Sequence, residues 1–128
     1  MVASTFLLLL FGIMLMAEEV MSYNSMSVAA EEAVRYAVAN GPNSPNPADQ
    51  PTIEGIAVNI APQLHLTCTG CVSNPGTGNV TSSWVTDANL PTRQDAKVVI
   101  TYDYNIKIPW MTRATLHLTA TSQMMASQ

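Results

Sequence analysis

The residues with the most chemistry to offer are Cys68 and Cys71, spaced as Cys-Thr-Gly-Cys, with His65 and His117 as the chain's two histidines. Haem attachment requires a histidine directly after the second cysteine, and Val72 stands there instead. A thioredoxin-like dithiol requires a βαβ setting and a helix N-terminus to activate the thiolate, and the surrounding sequence offers neither. Structural zinc needs four ligands, a set that His65 and His117 would complete. A local disulfide closing a tight turn in an oxidising compartment needs nothing further, and this pairing of Cys68 with Cys71 is the expectation.

Carboxylates are no better organised for catalysis. Asp87, Asp95 and Asp103 form no spaced pair that would share a cleft, and no nucleophile motif, Gly-rich phosphate loop or metal signature occurs. The chain is therefore expected to be neither an enzyme nor a cofactor carrier. Asn79-Val80-Thr81 fits the N-glycosylation acceptor pattern, which is common by chance. The basic residues, Arg35, Arg93, Lys97, Lys107 and Arg113, are scattered and the net charge is −4, which argues against nucleic acid as a partner. Charged residues make up 11% of the chain, against about 25% in soluble domains. A surface so poor in charge is expected to be covered in part by neighbours.

The elements that position these residues begin with a charge-free apolar segment, Met1 to Ala17, running without a breaker into EEVMSYNSMSVAAEEAVRYAVA. As a helix the first seventeen residues span about 26 Å, slightly short of a ~30 Å hydrocarbon core. A spanning anchor is thus possible but minimal. The rival is a cleaved signal peptide with Ala17 at the cut; against it stand an n-region without Lys or Arg and Leu15 where a small residue is wanted. Alanine is abundant and no proline precedes Pro42, so one uninterrupted helix of about forty residues, near 60 Å long, is predicted over 1–40. Asn40-Gly41-Pro42 is its stop signal, with Gly41 suited to a left-handed terminal residue. In the amphipathic half, Met16, Val20, Tyr23, Ser27, Ala30, Val34 and Ala37 recur at steps of three or four and form a narrow stripe.

Residues 41–128 are expected to form a small β-rich head. Residues 41–51 read as a surface connection and Thr52 to Ile60 as a short helix with Pro51 in its first turn. Three segments alternate with period two: residues 64–68, 97–108 and 113–121, the last two predicted to pair as an antiparallel hairpin. Val80 to Thr86 reads as a short edge strand. Both histidines fall on polar strand faces. The fold class is α+β, a long helix with a small antiparallel sheet, and the face of Ile100, Tyr102, Leu116 and Leu118 is expected to cover the helix through Val34 and Ala37.

The segment from Phe6 to Ala37 resembles the N-terminal region of TadE-like proteins, pilin-like components of tight-adherence (Flp) type IV pilus systems. The likeness lies in an aliphatic run closing on Phe11-Gly12-Ile13, in Tyr23-Asn24-Ser25, and in the Ala-Ala-Glu-Glu-Ala-Val-Arg-Tyr-Ala ending at 29–37. Val-Val-Ile-Thr-Tyr-Asp-Tyr at 98–104 and the Met-containing tail at 114–125 extend it. The resemblance implies an inner-membrane precursor that a prepilin peptidase cleaves and the pilus machinery assembles with identical subunits into an extracellular filament. Such proteins carry a basic leader and a glutamate soon after the cleavage point, and neither precedes Phe6 here. The expected assembly residues are Phe6, Leu7, Leu8, Leu9, Leu10, Phe11, Gly12, Ile13 and Met14. At least one of Glu18 and Glu19 is expected near the rim of the filament core, or paired with a neighbour's Arg35 or Met1 amine. A single-pass protein presenting a binding or sensor head is the alternative, and a small redox or metal protein built on Cys68 and Cys71 a third.

Overall fold

The computed structural model describes residues 2–42, 44–68, 78–86, 94–106 and 114–126. Helix α1 runs unbroken over Val2–Ala39, as its composition predicts. It ends without a left-handed glycine: Gly41 keeps a φ outside that region. Asn40 closes the helix instead, its backbone N–H and its side-chain Nδ2 both donating to the Tyr36 carbonyl, at 3.0 and 3.2 Å. Pro42, which cannot extend the helix, follows.

Helix α2 covers Gln50–Ile60, two residues longer at its start than the sequence pattern indicates, with Pro51 in its first turn. The sheet has four strands in the order β1-β2-β3-β4, namely Leu66–Thr67, Gly78–Thr86, Gln94–Ile106 and Ala114–Met125. The β2–β3 and β3–β4 pairs are antiparallel, and the latter is the predicted hairpin, with Ile100 opposite Ala120 and Tyr102 opposite Leu118. The β1–β2 pair is parallel, so the sheet is mixed rather than wholly antiparallel.

The first predicted strand shrinks most. Of residues 64–68 only Leu66 and Thr67 enter the ladder, because Pro62 opens a 3-10 turn over Pro62–Leu64 and His65 caps it at φ 45°, the left-handed region. His65 is thus a turn residue and not part of a strand face. Leu64 and Leu66 are buried nonetheless, as their alternation implies. β2 is longer than the edge strand expected from Val80 to Thr86, and β1 lies outside it. Gly78 is where these strands close on one another: a Cβ there would stand 2.5 Å from Leu66 Cδ2 and 3.0 Å from the Thr101 carbonyl oxygen. Any side chain there would have to push Leu66 and Tyr102 aside.

The core lies between α1, α2 and one face of the sheet. Met26, Ala29, Ala30, Ala33, Val34 and Ala37 of α1 meet Ile53 and Ala57 of α2 and Val80, Ala96, Val98 and Ile100 of the sheet. Small residues dominate the helix side, so its backbone can approach the strands closely. The predicted stripe is correct at Ala30, Val34 and Ala37, but Met16, Val20 and Tyr23 are exposed. Of the sheet residues expected to cover the helix, Ile100 is buried, Tyr102 and Leu118 are half-buried, and Leu116 is 38% exposed. Cover therefore thins toward the hairpin end.

Candidate functional site

The helix runs along the strands. At one end Ala37 shares a small cavity with Ala96 and Val98; at the other, Glu18 meets Tyr104. The helical rise from Glu18 to Ala37 is about 28 Å, and the strand rise from Tyr104 to Ala96 is about 27 Å. The head therefore begins level with Glu18 and leaves everything before it bare. Of the expected assembly residues, Phe6, Leu7, Leu8, Leu9, Leu10, Phe11, Ile13 and Met14 are each at least 43% exposed. A Cβ added at Gly12 would meet no atom within 4 Å. At about 25 cal/mol per Å² of apolar surface, leaving such a rod exposed to water is costly. By length and composition the helix can cross a membrane, and none of its most apolar stretch is buried within the chain.

Glu18 and Glu19 mark where this rod meets the head. Glu18 Oε2 accepts a 3.0 Å hydrogen bond from the Tyr104 hydroxyl, a partner within its own chain. Burial, and then the hydrogen bond to Glu18 and its negative charge, hold the Tyr104 phenol above the ordinary tyrosine range. Glu19 is half-buried. Between helix and head lies a cleft of about 340 Å³ lined by Glu18, Met21, Ser22, Ser25, Gln63, Leu64, Tyr102 and Tyr104. The hydroxyls of Ser22 and Ser25 turn back to donate to the Glu18 and Met21 carbonyls, each at 3.0 Å, and so satisfy themselves within the helix along the cleft. Arg35 pairs with Glu31 and lies 4.0 Å from Glu32, all on its own helix.

Glu54 is the polar residue that sequence reasoning missed. Its carboxylate is fully buried, at 0% exposure, under α2. Oε1 accepts from Gln50 Nε2 at 3.0 Å, from the Ser82 backbone N–H at 3.1 Å and from the Ser82 hydroxyl at 3.3 Å. It thereby satisfies a β2 backbone donor beyond the reach of the short β1, and fixes α2 to the edge of the sheet. The signal was its spacing: Gln50, Glu54, Ala57 and Ala61 share a helix face whose apolar members are buried.

The two histidines are not brought together. His117 projects from the outer sheet face and pairs with Asp103 across the hairpin, whereas His65 sits on the turn before β1. Cys68 packs half-buried against the core, while Cys71, and with it the expected disulfide, lies outside the described residues, as does Asp87. Among the described residues no group of three or more His, Cys, Asp and Glu side chains is placed to hold a metal ion. Asn79 of the glycosylation pattern is exposed within β2.

No family model, curated protein or solved structure matches the chain. A long apolar N-terminal helix followed by a small four-stranded sheet is a pilin-like architecture, and its bare helix is fit either to anchor or to polymerise.

Proposed function

We propose that this protein is a structural subunit of a type IV-like pilus filament, of the TadE-like kind, and that it has no catalytic role. The observation that carries the reading is the contrast along one rigid helix: the residues before Glu18 are apolar on every side and unburied, while the part beyond Met26 is packed into the head. Before assembly the apolar end sits in the inner membrane; after processing by a prepilin peptidase and extrusion by the pilus machinery, identical subunits replace the lipid. A heterologous contact between copies that does not close on itself produces a helical filament with the heads outside. The same helix also supports a second reading, a single-pass anchor holding an extracytoplasmic binding or sensor head, favoured by the open cleft that Glu18, Ser25, Gln63 and Tyr102 help to line.

Negative-stain microscopy of the native material separates the two. Filaments that vanish when Leu8 and Leu10 are both replaced by Asp support the first reading. A protein that remains a dispersed membrane monomer supports the second.

A further inference from the structure

We infer that the cleft where α1 meets the head binds the ammonium headgroup of a membrane aminophospholipid against the Glu18 carboxylate, a site that rests on the anchoring of α1 in a bilayer, which both readings above share. The cleft, of about 340 Å³, runs along α1 from Glu18 to Ser25 and is bounded on the head side by Gln63, Leu64, Tyr102 and Tyr104. The hydroxyls of Ser22 and Ser25 already donate within the helix. Recognition is left to Glu18, Gln63 and the tyrosines.

Three properties of the cleft select this ligand, and the first is charge. Glu18 is exposed, and its Oε2 accepts from the Tyr104 hydroxyl at 3.0 Å. A neutral phenol orients the carboxylate without cancelling its charge, and Glu19 follows it in the chain. Among the described residues the basic side chains are Arg35 and Lys97. Arg35 stands about 26 Å along the helix from Glu18, and Lys97 about 23 Å along β3 from Tyr104. Arg35 is moreover paired with Glu31. A cation from outside the chain complements this site.

The second is aromatic surface. Tyr102 and Tyr104, both half-buried, line the cleft and suit an organic ammonium better than a strongly hydrated metal ion. The exposed Gln63 amide in the same lining can donate to the phosphate that accompanies such an ammonium. The third is height. α1 is apolar and bare up to Ala17 and can cross a membrane by length and composition. Glu18 is its first charged side chain, so the cleft opens where hydrocarbon gives way to headgroups, the level that tyrosine favours. A second copy anchored at the same height carries its Arg35 about 26 Å above Glu18, so that side chain cannot take the place of the lipid.

The test places the full chain in nanodiscs of equal parts phosphatidylethanolamine and phosphatidylglycerol and reads by native mass spectrometry which lipid stays bound. Phosphatidylethanolamine is expected in several-fold excess on the parent. Glu18→Gln, whose amide oxygen can still accept from Tyr104, should keep the head's circular dichroism and bring the two lipids to near parity. Glu31→Gln, away from the cleft, should keep the parent's preference. Parity on the parent, or an undiminished preference in Glu18→Gln, overturns the inference. Flotation of the parent with vesicles of the same lipids tells two failures apart. A chain that floats without preferring phosphatidylethanolamine loses only the headgroup site. A chain that does not float loses the membrane anchoring as well, and with it the basis of both readings.

Discussion

From Val2 to Ala17, α1 carries Leu, Phe, Ile and Met on every side and none of these residues is buried; from Met26 to Ala37 it turns a strip made mainly of alanine against α2 and the sheet. Both halves are good helix formers, so local propensity makes one rod of them. What differs is the surface each was shaped to meet. Close approach to a sheet demands small side chains, which is why four of the six buried α1 residues are alanines. The bare half has no partner within the chain and carries bulky side chains fit for lipid or for other helices. The same contrast separates the two edges of the sheet: β2 is guarded by β1 and by the Glu54 carboxylate, while β4 is paired on one side only among the described elements.

The contrast predicts that one chemical change has opposite consequences in the two halves. Ala33→Asp should lower head stability by about 3 kcal/mol or more, since it buries an unpaired charge. Leu9→Asp should leave the head's unfolding midpoint unchanged while blocking membrane insertion. Denaturant unfolding followed by circular dichroism, set beside a flotation assay, checks both.

Glu54→Ala comes next. It strips the Ser82 N–H and hydroxyl and the Gln50 amide of their acceptor, an expected cost of about 2–3 kcal/mol. Hydrogen exchange should quicken in β2 and α2 more than in the β3–β4 hairpin. Gly78→Ala should cost about 1–2 kcal/mol by forcing Leu66 and Tyr102 aside, measured as a lowered thermal midpoint.

Smallest is Tyr104→Phe, which removes a single part-exposed hydrogen bond and should cost less than about 1 kcal/mol. The Tyr104 phenol has a raised folded-state pKa, so its contribution is fully present below the unfolded value of about 10 and is lost as pH rises through the folded one. Ultraviolet titration of the intact protein should show one late-ionising tyrosine that is missing from the variant.

Much of this arrangement was legible in the sequence, and the exceptions have physical causes. The unbroken helix followed from the lack of any breaker before Gly41-Pro42, and the hairpin from strict alternation over 97–108 and 113–121, of which 107, 108 and 113 lie outside the described residues. The buried strip on α1 was misplaced because apolar residues surround the helix at Met16, Val20 and Tyr23, where periodicity cannot tell a core face from a lipid or neighbour face. β1 was overextended because Leu64, Leu66 and Cys68 alternate like a strand while Pro62 sets a turn, and its parallel pairing with β2 is a non-local choice. Glu54 was overlooked because a carboxylate in a short helix is ordinarily solvated; its role appears only once Ser82 is beside it.

Whether the bare half of α1 is the assembly element can be read most directly by electron microscopy of cells producing the full chain or its Leu8→Asp, Leu10→Asp variant. Filaments are expected from the parent and none from the variant, with the variant's head, residues 41–128, still folded as judged by protease resistance. Normal filaments from the variant would contradict that role and move the membrane-anchored receptor reading ahead.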